Sequence, residues 1–466
     1  MTSTDFSASS RNYFRSSFFF AAFLLAATVF AAASSEIVIH NFAGGAADGA
    51  APTSALVADK AGNLYGTTPQ GGTAGFGTVF KLAPQSNGTW TESILYSFPQ
   101  GGADYIGFSP GSLIVDGAGN LYGTAIGGTY GSGFIYELSP SNGHWSFAVL
   151  HQFRFDGITY FDGSQPNSGL VRDSNGNLYG TTYLGGAGLC YSDDSVTAGV
   201  KPPKGEVPNG CGTVFELSLS SKGVWREKLL YSFQGGSDGA GPVGNLTLGA
   251  SGKLFGTASA GGVGSSGCIG KYVSGCGSVF ELTPANGGTW NQSTLYDFSG
   301  GSDGGVPVAG VVLDNAGNVY GATPGGFFED GSVFELSPTS GGTWTETTII
   351  SFLNEADGYG ATGGLIMDRS GTIYATTQYG SGPTTTDVGS SNGGAPPPKP
   401  FGPGTILELS PGQGGTWTTN WIHTFSGTPD GSNPVSGLIR GPDGSLYGTT
   451  SSGGSLGHGT VFKFVP

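Results

Sequence analysis

The chain has 466 residues, of which 89 are glycine and 26 proline, and it sets 17 basic against 32 acidic side chains for a formal charge of -15. So much glycine and proline makes a low-complexity polymer unless a period orders it. The acidic balance, with no Lys/Arg cluster to release counterions, excludes nucleic acid as a partner.

In chain order, the first feature is a targeting pattern. Arg11 and Arg15 precede an apolar run from Phe18 to Phe30, and Ala31, Ala32 and Ala33 follow, the order of a secretory signal peptide. About 13 apolar residues are too few to cross a bilayer as a helix, and no later segment does better. The expected organisation is a signal peptide over 1–33 and a single domain over 34–466, monomeric, secreted, and extracellular or periplasmic, with no transmembrane segment in the mature chain.

A repeat then takes over. One unit runs from Leu64-Tyr65-Gly66-Thr67-Thr68 through Gly77-Thr78-Val79-Phe80 to Trp90 and Tyr96-Ser97-Phe98, and on to Leu113-Ile114-Val115-Asp116. Its first aromatic returns at Tyr122, Tyr179, Phe255, Tyr320, Tyr374 and Tyr447, making seven copies. Short β-branched and aromatic pieces punctuated by Gly, Asn, Asp and Pro predict strands, four per copy. We label them A (Leu-Ile-Val-Asp), B (Leu-Tyr-Gly-Thr-Thr), C (Thr-Val-Phe-Glu-Leu) and D (Trp to Phe). Seven such units predict an all-β, seven-bladed β-propeller of four-stranded antiparallel blades. The last copy ends at its strand C, Val461 to Phe464, while Glu36 to Phe42 matches a strand D, so the N-terminal strand is expected to close the ring.

These repeats resemble the GloVer tandem repeat proteins, exported bacterial proteins with a Leu-Tyr-Gly-Thr-Thr, Gly-Gly, Gly-Thr-Val-Phe signature and variable surface anchors. The resemblance covers about Glu36 to Phe464 and implies the repeat and export but no catalytic role. No sorting motif, hydrophobic tail or added domain precedes Pro466, so the family's anchor is not carried over.

Cys190 and Cys211 bracket one insertion between strands B and C, and Cys268 and Cys276 bracket another. Two local disulfides are the natural pairing in an exported chain. Zinc is disfavoured there, because the spacings match no CxxC pattern and no His is near; no metal and no cofactor are expected.

Function is sought on the face carrying the B-to-C loops and the D-to-A crossovers, which vary, whereas the A-to-B and C-to-D turns are short and uniform. Each crossover carries an Asp, namely Asp48, Asp104, Asp162, Asp238, Asp303, Asp357 and Asp430. These read as turn caps, with a cation site as the rival reading. His40, His151 and His423 share a strand D position with Tyr96, Tyr231 and Tyr296, and read as interchangeable outer-strand residues. Strings matching G-x-S-x-G at 235–239 and 300–304 lack the strand-to-helix turn of a nucleophile elbow.

Rings mark the face more clearly. Tyr105, Phe108, Phe155, Asp156, Tyr160, Phe161, Asp162, Tyr183 and Tyr191 are the candidate ligand-binding residues, since aromatic faces beside carboxylates suit neutral carbohydrate. Three functions remain: a binding scaffold for neutral polysaccharide or cell-surface components, a carbohydrate-active enzyme (glycoside hydrolase or lyase) with dispersed carboxylates, and a structural envelope protein.

Overall fold

A strand buried on both faces in a radial stack needs side chains that are apolar or have their polar atoms paired, and strand B meets this: Leu64–Thr68 is buried throughout, as are its counterparts Leu178–Thr182 and Leu446–Thr450, and the threonine hydroxyls are hydrogen-bonded, as in Thr68 to Thr78. A computed structural model describes residues 35–99, 108–154, 162–190, 209–263, 268, 275–324, 331–352, 360–380 and 402–466. They form seven antiparallel blades arranged as a β-propeller. Blade 1 consists of Val57–Ala58, Leu64–Thr68, Thr78–Pro84 and Trp90–Ser97, side by side in that order.

Ring closure follows the sequence expectation. Blade 7 consists of Ile439–Arg440, Leu446–Thr450 and Thr460–Val465 with Ser35–Asn41 as its outer strand, pairing Glu36 with Phe464 and Asn41 with Thr460. Blade 2 differs by one element. Phe108, expected in a loop, opens a short strand, Phe108–Pro110, that pairs beside Ala125 and Ile126.

Seams between blades are aromatic. The Phe that ends strand D of one blade meets the strand C ring of the next edge-on, as in Phe42–Phe80 (5.2 Å), Phe153–Phe215 (5.3 Å), Phe233–Phe280 (5.1 Å) and Phe425–Phe462 (5.1 Å). Such pairs are worth about 0.5–1.5 kcal/mol beyond the area they bury. On the other side of each blade the strand B Tyr meets the next Trp, as in Tyr65–Trp145 and Tyr179–Trp290. Blade 7 has no such Trp, and Arg440 covers Tyr374 instead, 5.6 Å from the ring centroid.

Two glycines of the signature are required by this packing. A Cβ on Gly66 would sit 2.6 Å from the Phe80 ring. Blade 6 shows the compensation: Leu407 replaces the Phe, and Ala375 replaces the Gly. Gly404, before strand C, has φ +106, and a Cβ there would lie 2.5 Å from Pro434 in the crossover to the next blade. That proline belongs to a recurring turn. Ala51, Gln165, Val306 and Asn433 each take a positive φ three residues after the crossover Asp, and Pro52, Pro166, Pro307 and Pro434 follow them.

Candidate functional site

The two faces separate as the topology requires. Crossover residues Gly49–Ala50 pair with Gln70–Gly71 at the start of a B-to-C loop, and Ser164 and Ser432 bridge Leu184 and Ser452 in the same way. On the opposite face, A-to-B turn residues Lys60 and Asp443 and C-to-D residues Gln85 and Gly88 share the lining of one groove. Disulfides Cys190–Cys211 and Cys268–Cys276 are both formed, with Cα separations of 5.1 and 5.0 Å, and pin two B-to-C insertions.

Of the candidate ligand-binding residues, Tyr105, Phe155, Asp156, Tyr160, Phe161 and Tyr191 lie outside the described residues. Asp162 and Tyr183 are described. Asp162 Oδ1 accepts a hydrogen bond from the Arg154 N–H (3.0 Å), and its Oδ2 lies 3.3 Å from His151 Nε2. The Tyr183 ring packs on Gly241, where a Cβ would come within 2.7 Å, and lines a small cavity with Cys190 and Cys211.

The described crossover Asp residues cap turns, as expected, while Asp104 and Asp357 lie outside the described residues. Asp48 accepts from Ala43 and Gly49, Asp238 from Gln234, Asp303 from Ser299 and Asp430 from Ser426, all through backbone N–H groups. Each also faces the strand D position thought interchangeable. Tyr231 donates to Asp238 (2.9 Å) and Tyr296 to Asp303 (3.0 Å), whereas His40 and His423 approach Asp48 and Asp430 at 3.7 and 3.3 Å.

A third residue completes the cluster in three seams. Six places before the terminal Phe of strand D stand Glu36, Glu92 and Glu227. Glu92 Oε1 lies 3.7 Å from His40 Nε2, and one ligand atom each of Glu36, His423 and Asp430 falls within 4.8 Å of the other two. Burial pushes the Glu92 carboxyl up to about 7, the His40 charge opposing and Asp48 adding to it. Burial and the charge of Asp430 raise Glu36 to about 7. Burial likewise raises Glu227 to about 7, with His151 opposing and Asp162 adding. His423 is lowered by its burial, against the pull of Asp430. The sequence held the signal: every His at this strand D position is followed, one copy on, by Glu at the facing position.

A cavity of about 400 Å³ runs between the inner ends of the blades. Its walls come from all seven, including Thr53, Ser112, Asn167, Asn245, Thr362 and Ser436. Asn167 and Asn245 are exposed in it, and the described lining contains no Asp, Glu, His, Lys or Arg. Each wall segment starts just past a crossover, as Thr53 follows Pro52 and Asn167 follows Pro166.

Among solved structures, the chain is similar to PorZ, a surface component of the type-IX secretion system of Porphyromonas gingivalis, with 12% identity over 90% of this chain and 47% of that one (TM-score 0.47). It thus spans about half the length of that protein. A protein from Lactobacillus plantarum shares 12% identity over 90% of both chains (TM-score 0.44), and the NanB sialidase of Streptococcus pneumoniae 14% over 92% of this chain and 70% of that one (TM-score 0.40). These likenesses carry no functional argument. No curated protein matches the chain. The family model described as the Gloeobacter/Verrucomicrobia repeat matches residues 26–196, a stretch that includes the B, C and D strands of the first two blades, so those blades carry that family's repeat.

Proposed function

We propose that the chain is an exported binding propeller for a neutral, hydroxyl-rich ligand such as a polysaccharide segment, with residues 1–33 as export signal and 34–466 as the binding domain. The two disulfides point to an oxidising, non-cytoplasmic location, and no described helix is long and apolar enough to cross a membrane. One observation carries the reading: the central cavity draws its wall from every blade and presents amide, hydroxyl and backbone groups without a charge in its described lining. Glycoside hydrolysis needs a pair of carboxylates flanking the bond, and that wall supplies none. Neutral hydrogen-bonding groups instead match sugar hydroxyls.

The rim belongs to the same reading. Tyr105, Phe108, Phe155, Asp156, Tyr160, Phe161 and Tyr191, which the sequence places between strands on the variable face, are proposed as its stacking platform. The test is retention of the purified chain on a panel of neutral polysaccharides, with reducing-end release measured in parallel. Retention without release is expected. Tyr160→Ala with Phe161→Ala, or Asn167→Ala with Asn245→Ala, should weaken retention by about tenfold, as truncation of contact residues costs about 1–3 kcal/mol. Release of reducing ends, or retention unchanged in both variants, defeats the reading.

A further inference from the structure

Nine buried side-chain polar atoms among the described residues have no hydrogen-bond partner, and six of them belong to the three seam clusters: His40, His151 and His423 Nε2, and Glu36, Glu92 and Glu227 Oε1. Buried polar groups are nearly always satisfied, so orphans gathered in one recurring position signal a missing partner. We propose that two divalent transition-metal ions of the zinc class bind at the seams flanking blade 7, one held by His40, Asp48 and Glu92 and the other by Glu36, His423 and Asp430, pinning the N-terminal strand into the ring.

Geometry supports an ion over a hydrogen bond. Ligand atoms about 2.0–2.2 Å from a tetrahedral zinc stand about 3.4 Å from one another. His423 Nε2 lies 3.3 Å from Asp430 Oδ2, and His40 Nε2 lies 3.7 Å from both Asp48 Oδ1 and Glu92 Oε1. One imidazole and two carboxylates make three protein ligands, leaving the fourth position to water; the nitrogen favours zinc over calcium, which takes oxygen alone.

The surroundings hold the ligands in place, as outer-shell partners do in metal sites. Asp48 is fixed by the Ala43 and Gly49 N–H groups and Asp430 by the Ser426 N–H. The imidazoles sit edge-on to the next ring but one, His40 to Phe42 at 4.6 Å and His423 to Phe425 at 4.7 Å. Charge asks for a cation as well. Each site gathers two carboxylates, and none of the described ion pairs brings a Lys or Arg to them.

Position gives the ions a purpose. Both sites draw on the N-terminal strand, which sends Glu36 toward blade 6 and His40 toward blade 1. No covalent link joins that strand to the rest of its blade, so this joint is where the ring would open first.

Metal alone tests the proposal. The purified chain, stripped with chelator, is titrated with cobalt(II) and zinc and followed by visible absorption, elemental analysis and thermal melting. Expected are a tetrahedral cobalt spectrum displaced by zinc, an ion at each of the two sites, and a zinc-dependent rise in melting temperature on the order of 5 °C, since a ligand confined to the folded state stabilises it. His40→Ala and His423→Ala should each lose one ion and part of the zinc-dependent rise, with His151→Ala keeping both. If an alanine variant fails to fold, Glu92→Gln, which preserves shape, should bind about tenfold more weakly or worse. The proposal falls if the parent melts alike with zinc and with chelator, or if the variants keep both ions.

Discussion

Two seams of this ring use the same pair of positions for different chemistry. Between blades 1 and 2, Tyr96 stacks on Phe147 with centroids 4.3 Å apart and planes 7° from parallel. Between blades 7 and 1 the same positions hold His40 and Glu92, 3.7 Å apart and both with buried, unpartnered atoms. One seam is held by ring contact and excludes water; the other has placed ionisable groups where burial costs them. The exchange is not strict, since at the seam between blades 4 and 5 Glu346 stands across from Tyr296 and accepts a hydrogen bond from Thr348 instead, so that its carboxylate is not left unpaired.

The comparison can be broken at several places. The largest effect is expected from deleting residues 35–42, which removes the closing strand, the Phe42–Phe80 contact and two of the three clusters at once. It should lower the melting temperature sharply relative to the parent chain, and a deleted chain with an unchanged melting curve would refute closure by this strand.

Next is Phe147→Ala at the apolar seam. Phe147 also touches Phe98, Phe134 and Tyr136, so its truncation should cost about 3 kcal/mol by denaturant unfolding. His40→Ala, measured in chelator, should cost under half of that, since it relieves a buried unpaired nitrogen. Equal losses would show that the two seams do the same work.

A double replacement sharpens the contrast. Converting His40→Tyr and Glu92→Phe together copies the blade 1–2 pair into the blade 7–1 seam. The pair should be less destabilising than the sum of the singles by about 1 kcal/mol, the coupling typical of residues in contact. Additive losses would mean the positions are independent.

The smallest effect concerns the uniform face. Burial opposes ionisation of Asp59, but hydrogen bonds from the side chain and backbone of Asn63, from Tyr65 and from Ala61 outweigh it and hold the carboxyl below its ordinary 3.8. Asp116 and Asp173 are lowered in the same way against their burial by Asn120 and Asn177. A carboxyl lowered in the folded state stabilises it above the unfolded pKa, and that contribution is lost as pH falls through the folded one. The melting temperature should therefore begin to drop below about pH 4, and Asp59→Asn with Asp116→Asn should flatten that drop. These turns are exposed, so the shift should be modest.

Much of the scaffold was legible because it is local. Seven returns of the strand B aromatic, the Gly of each A-to-B turn, and a strand D pattern at Glu36 to Phe42 specify four strands and a closed ring without reference to distant residues. The Cys pairs were legible for the same reason, each sharing one loop. The candidate site was less so: Asp162 and Tyr183 are engaged with the Arg154 N–H and with Gly241, contacts that loop composition does not encode.

By itself, then, the sequence determined the blades, since alternation, turn chemistry and repeat period all act within a few residues of one another. Tertiary structure alone decided what meets across the seams. Glu36 reaches His423 from the other end of the chain, and Pro434 dictates the glycine at 404. The chain segments that follow the crossovers bring neutral side chains from all seven blades to one central cavity. Those encounters depend on how one sheet is rotated against the next, a quantity fixed by packing of whole blades and carried by no single repeat.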